Sequence, residues 1–170
     1  MSEVLARWNH LPAQKAAEEI LACCGSTTWA LELVARRPLE NELSLVAASD
    51  EVWSHLGSQD WMEAFSKHPR IGERKAPQTA SAQSAAWSRQ EQQNVAASGE
   101  AIQLALAEAN QEYERRFGRV FIVCATGKSA PEMLEILRHR LRNDDAAEFR
   151  EAAEEQRKIT NIRLKKWLSK

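Results

Sequence analysis

No stretch restricts the architecture more than residues 84–117, where apolar side chains recur at helical spacing. At 100° per residue Val95, Ile102, Leu106 and Tyr113 fall on one face, so the tract reads as a long helix that can bend at Gly99. The period returns in residues 131–142, where Met133, Leu134, Leu137 and Leu141 form a second stripe behind a Ser129 cap. Gly and Pro are few, while Ala, Leu, Glu, Gln and Arg abound, which favours helix over sheet. With 170 residues the chain is long enough to bury a core without staples. The expected fold is all-α: one domain over 1–170, a bundle of about seven to nine helices with a short extended segment near 120–125.

Shorter helices divide the first half. Pro12 opens a segment carrying Ala16, Ile20 and Leu21 that Gly25 ends, and Ser26 with two threonines caps 29–36. Pro38 opens 39–48, with Leu43, Leu45 and Val46 apolar, and Ser49 and Asp50 cap a separate piece holding Val52, Trp53 and Leu56. Asp60 caps 61–67, whose Met62 and Phe65 face inward. The last helix runs from Asp145 almost to the end.

Several function classes are set aside by composition. A net charge of −1 offers no field to recruit nucleic acid or a membrane, and the longest apolar run, residues 120–125, is too short to span a bilayer. Three cysteines cannot all pair and Cys23 and Cys24 are adjacent, so the expected home is a reducing cytoplasm, with these two as core filler. The amino terminus lacks the apolar run of a signal peptide, and the final Ser169-Lys170 is not a peroxisomal address. No Cys or His falls near Cys23 and Cys24 at ligand spacing, so no metal is expected. Thr126-Gly127-Lys128-Ser129 imitates the end of a phosphate-binding loop, but Ile122 stands where that pattern needs its first glycine.

Three features carry chemistry. Ser66-Lys67-His68-Pro69-Arg70-Ile71-Gly72-Glu73 breaks the helical pattern with an imidazole braced by proline and a glycine suited to positive φ. Such a histidine points in a defined direction and titrates near neutrality, as an acid or base must. Ser88, Glu91 and Gln92 share the inward face of the 84–117 tract: either the helix emerges into solvent there, or the three line a pocket. Arg163 falls between Ile159 and Trp167 on the wheel of the last helix, where a permanent charge needs an anionic partner or a ligand. Lys166 lies nearby on that wheel, and its flexible stem can reach water. His139 reads as a surface or boundary residue, and 120–125 as a short strand or a buried extended loop.

His68-Pro69-Arg70-Ile71-Gly72-Glu73, Ser88-x-x-Glu91-Gln92, Phe121-Ile122-Val123-Cys124-Ala125-Thr126-Gly127, and Lys158-Ile159 with Arg163-Leu164 resemble, in order and spacing, the OHCU decarboxylase family. Members convert 2-oxo-4-hydroxy-4-carboxy-5-ureidoimidazoline (OHCU), a urate-oxidation product, to (S)-allantoin. The resemblance covers nearly the whole chain and implies an all-helical homodimer that uses no cofactor or metal. It implies His68 as catalytic acid or base and Pro69, Ser88, Glu91, Gln92 and Arg163 as substrate-binding residues; Glu91 is hypothesised here to orient His68 and so to share the catalytic role. Phe121, Ile122, Val123, Cys124 and Ala125 would meet the substrate mainly through backbone groups. Some members carry His-Pro-Asp-Leu and a small pair where this chain has His-Pro-Arg-Ile-Gly-Glu, which leaves no inherited role for Arg70 or Glu73. Two alternatives stay open: a non-catalytic helical interaction domain, and an enzyme for a related ureido or imidazoline compound.

Overall fold

Side-chain caps set several of the helix starts. The Oγ atoms of Ser26, Ser81 and Ser129 accept the backbone N–H three residues on, and Asn41 with Ser44 and Ser129 with Glu132 form reciprocal capping boxes. The computed structural model describes residues 2–73 and 75–170. In chain order the helices are α1 (Glu3–His10), α2 (Ala13–Cys24), α3 (Thr27–Ala35), α4 (Glu42–His55) and α5 (Ser58–Phe65). They continue with α6 (Ala82–Glu91), α7 (Gln93–Ala96), α8 (Glu100–Phe117), α9 (Ala130–Arg140) and α10 (Asp145–Leu168). Among the described residues there is no strand, and no helix is long and apolar enough to cross a membrane.

Among the described residues ten helices appear where about seven to nine were expected. The eight residues of α1 bury only Leu5 and Trp8, too little for a period to show. The 84–117 tract is not one bent helix but three pieces. Gln92 leaves helical geometry at φ −100°, ψ 13°, and Gly99, at φ −67°, ψ 157°, is the N-cap of α8. Conversely, 39–48 and the piece after it are a single helix, α4. Ser49 and Asp50 do not cap: Ser49 Oγ accepts the Trp29 indole N–H at 3.2 Å, while Asp50 accepts from Arg157 at 2.8 Å and Asn161 at 3.0 Å. Tertiary partners satisfy these side chains inside the helix, so they need not turn back on the backbone. Asp60 lies within α5, its carboxylate accepting from Gly57 N–H. Met62 does not face inward but is 38% exposed, because the buried stripe of α5 is set by Ala64 and Phe65 and Met62 lies at its edge.

Contacts group the chain into two compact units. One comprises residues up to Ala64 together with Arg157–Lys170, the other Phe65–Gln156. The first is organised by tryptophans. Trp8 donates to Ala16 O at 2.9 Å and meets Trp167 edge-on at 5.8 Å, Trp167 donates to Glu19 at 3.1 Å, and Trp61 stacks on Trp53 at 5.7 Å. Trp8 and Trp167 each bury a large apolar surface while the single indole N–H finds an acceptor. Cys23 and Cys24 are core residues here, as expected.

The second unit packs Ile71, Val95, Leu106, Tyr113, Phe117, Phe121, Met133 and Leu137 into one core. Arg140 and Glu148, both fully buried, pair at 2.6 Å inside it. Tyr113 and Asn143 donate to the same carboxylate at 2.5 Å and 2.9 Å, so neither charge of this pair stands alone.

Candidate active site

Beyond α5 the chain makes one more turn, His68 N–H donating to Phe65 O at 3.1 Å, and Pro69 stops it. Arg70 to Glu73 then closes a β-turn whose third residue, Gly72, has φ +93°, the geometry anticipated for it. Three side chains from elsewhere hold this turn. Arg70 forks onto Glu114 and also reaches Glu73 at 2.9 Å; Asn110 Nδ2 donates to Ile71 O at 3.0 Å; Gln92 Oε1 accepts Gly72 N–H at 3.0 Å. Arg70 and Glu73, which the resemblance left without a role, are thus anchors of the loop. The ion pairs are half-exposed and contribute roughly 0–1 kcal/mol each, so the buried Asn110 amide is the firmer hold.

At the head of the loop His68 is 9% exposed, with Nε2 2.7 Å from the Oε1 of Gln156. Ser88, 3% exposed, belongs to the buried face of α6 with Ser84 and Trp87, so that face does not simply emerge into solvent. Glu91 ends α6 and Gln92 forms the junction with α7. Of the polar trio, Gln92 is tied directly to the His68 loop through Gly72.

Residues 120–125 form a buried extended loop, not a strand. Phe121, Val123 and Ala125 enter the core in the alternation that an extended chain imposes. With no ladder to pair it, the backbone is held by side chains. Arg140 Nη1 donates to Ile122 O at 2.5 Å, its guanidinium lying over the Phe121 ring at 4.6 Å. Glu155 Oε2 accepts Cys124 N–H at 2.7 Å, and Lys128 Nζ donates to Cys124 O at 2.7 Å. Lys128, in the stretch that imitates a phosphate loop, therefore clips its own turn, in which Gly127 takes φ +79° and Lys128 N–H returns to Ala125 O at 3.0 Å. Among the described residues, neither the N–H nor the C=O of Val123 has a hydrogen-bond partner. Buried peptide groups are nearly always paired, which sets Val123 apart from the pinned residues on either side of it.

Arg163 belongs to the first unit. It is 1% exposed in α10, on the buried stripe with Ile159, Thr160 and Trp167 that its wheel position predicted. Its charge acts on Cys23 and Cys24 to lower their thiol pKa values, but burial wins: both are raised, Cys24 to about 12.

Four residues of the site escaped the sequence reading: Lys128, Arg140, Glu155 and Gln156. Two carried a signal. Arg140 follows Leu137 by three on the core stripe of α9, and Gln156 precedes Ile159 by three on that of α10, so each is a polar group on an apolar face.

The sequence model of OHCU decarboxylase matches residues 9–165. The chain belongs to the OHCU decarboxylase family. Within that family's reach it is 37% identical over 153 residues to the uric acid degradation bifunctional protein TTL of Arabidopsis thaliana. That match covers 89% of this chain and 47% of the relative, so the chain spans less than half of the relative's length. It resembles the crystal structure of OHCU decarboxylase in the presence of (S)-allantoin with a TM-score of 0.77 and 32% identity, covering 90% of this chain and 99% of that one. A crystal structure of (S)-allantoin synthase matches with a TM-score of 0.71 at 18% identity, over 96% of this chain and 53% of that one, a likeness of fold alone.

Proposed function

We propose that this chain decarboxylates 2-oxo-4-hydroxy-4-carboxy-5-ureidoimidazoline to (S)-allantoin without a cofactor, as a single domain over 1–170 that works in the cytoplasm as a homodimer. Family membership and the likeness to a decarboxylase of nearly equal length support the reaction. The observation that carries it is the N–H and C=O of buried Val123, which have no hydrogen-bond partner among the described residues, a donor and an acceptor suited to the ring amides and ureido group of such a substrate.

The substrate supplies its own electron sink. Carboxylate and hydroxyl share one ring carbon beside a C=N bond. When the carbon–carboxylate bond breaks, its electron pair forms a new carbon–carbon double bond and the nitrogen of the C=N takes up a proton. Loss of the hydroxyl proton and delivery of one to the ureido-bearing carbon then give allantoin and CO2. The protein has to orient the ring, place charge and deliver that proton to one face. His68, oriented by Glu91, serves as the acid–base group for the hydroxyl proton or for the new stereocentre. Ser88 and Gln92 fix amide groups, Pro69 shapes the wall, and residues 121–125 bind through the backbone. Arg163 serves best against a ring oxygen that gains negative charge, because a firm grip on the departing carboxylate would stabilise the ground state as well.

Freshly generated OHCU loses CO2 spontaneously, so the test measures excess rate and the optical activity of the allantoin formed. The protein should raise both, and His68→Ala should abolish both while the far-ultraviolet helical signal stays unchanged. Turnover at the wild-type rate in that variant would refute the assignment.

A further inference from the structure

Gln156 is fully buried in α10, with its carboxamide oxygen 2.7 Å from His68 Nε2. An amide oxygen only accepts, so the hydrogen in this bond belongs to the imidazole, and a neutral His68 carries its proton on Nε2 and its lone pair on Nδ1. The same two stretches touch once more: Phe65, three residues before His68, meets Phe149 edge-on at 5.8 Å. Phe149 precedes Gln156 by seven residues, two helical turns, so both lie on one face of α10. Both contacts join the end of α5 and the turn after it to α10. A carboxylate at this position would stabilise the imidazolium, as the aspartate of a Ser-His-Asp triad does. A carboxamide orients the ring without that bias, so His68 can both take and return a proton.

We infer that Gln156 is a positioning residue of His68: its oxygen holds the Nε2–H form of the ring. The inference rests on His68 being the acid–base group of the proposed reaction. Nitrogen-15 spectra of the imidazole test it in the wild type, Gln156→Leu and Gln156→Glu, with the His68 signals assigned by their loss in His68→Ala and kcat and KM measured alongside. The wild type should show a protonated, slowly exchanging Nε2 in the neutral ring. Gln156→Leu should lose that proton signal and at least about tenfold in kcat, with KM changed less than about threefold. Gln156→Glu keeps an acceptor oxygen and should keep the signal. A bare Nε2 in the neutral wild-type ring, or a leucine variant with unaltered signal or kcat, overturns the inference. Should the leucine variant not fold, the other two spectra decide, and a bare Nε2 in either overturns it. A wild-type protein that gives neither excess rate nor handedness defeats the decarboxylase reading by itself, while the spectra still report what holds the imidazole.

Discussion

Arg140 and Ile122 are bound side chain to main chain, the guanidinium Nη1 donating to the carbonyl oxygen at 2.5 Å while its other nitrogens grip the buried Glu148. One side chain thereby neutralises a core carboxylate and sets the backbone of the loop beside Val123.

Replacing Arg140 by Met leaves Glu148 charged and buried, with only Tyr113 and Asn143 as donors. The expected loss is about 3–5 kcal/mol, read from urea unfolding midpoints, because breaking one partner of a buried pair strands the other. Adding Glu148→Gln removes the stranded charge and should recover at least about half of that loss. A double variant no more stable than the single one would show that the arginine acts through packing.

Lys128→Met removes the donor to Cys124 O but keeps the length of the side chain. If the peptide of Val123 binds substrate, the loosened segment should raise KM roughly tenfold, about 1.4 kcal/mol, with kcat within about threefold. Stability should fall by only about 1–2 kcal/mol, the worth of one charge-assisted hydrogen bond. Unchanged KM would separate the Lys128 clip from substrate binding.

Cys23 and Cys24 make the fold sensitive to alkali. Burial raises both thiol pKa values in the folded protein, Cys24 to about 12. A raised folded pKa means that the contribution is full below the unfolded value near ~8.5 and is lost as pH rises toward the folded one. Between pH 8 and pH 9.5 unfolding free energy should therefore drop by about 1 kcal/mol for each thiol. Substituting Ala at Cys23 or Cys24 should flatten that slope, whatever it does to stability at pH 7. An identical slope in the variants would mean that the thiols are not shielded.

Much of this was legible in the residues. Glycine at 72 announced a turn of positive φ, Ser129 a cap, and Arg163 a charge turned inward, because each follows from local sterics or helical phase. The supports were not legible. Glu155 meets Cys124 across 31 residues and Gln156 meets His68 across 88, and no period or motif encodes which polar side chain answers which distant backbone group. Helix continuity failed for the same reason: Ser49 and Asp50 look like caps until Trp29, Arg157 and Asn161 claim them.

The loop at 121–125 divides its labour by atom type. Its apolar side chains fill the interior, and the N–H and C=O of its middle residue, without a partner among the described residues, are the pair proposed to meet substrate. Exchanging one apolar residue for another there alters core volume and leaves the donor–acceptor pair as it was. A change at 128, 140 or 155 removes a hydrogen bond that holds the backbone on one side of that pair. If that pair binds substrate, altered preference is to be sought among the residues that stand behind the binding surface as well as on it.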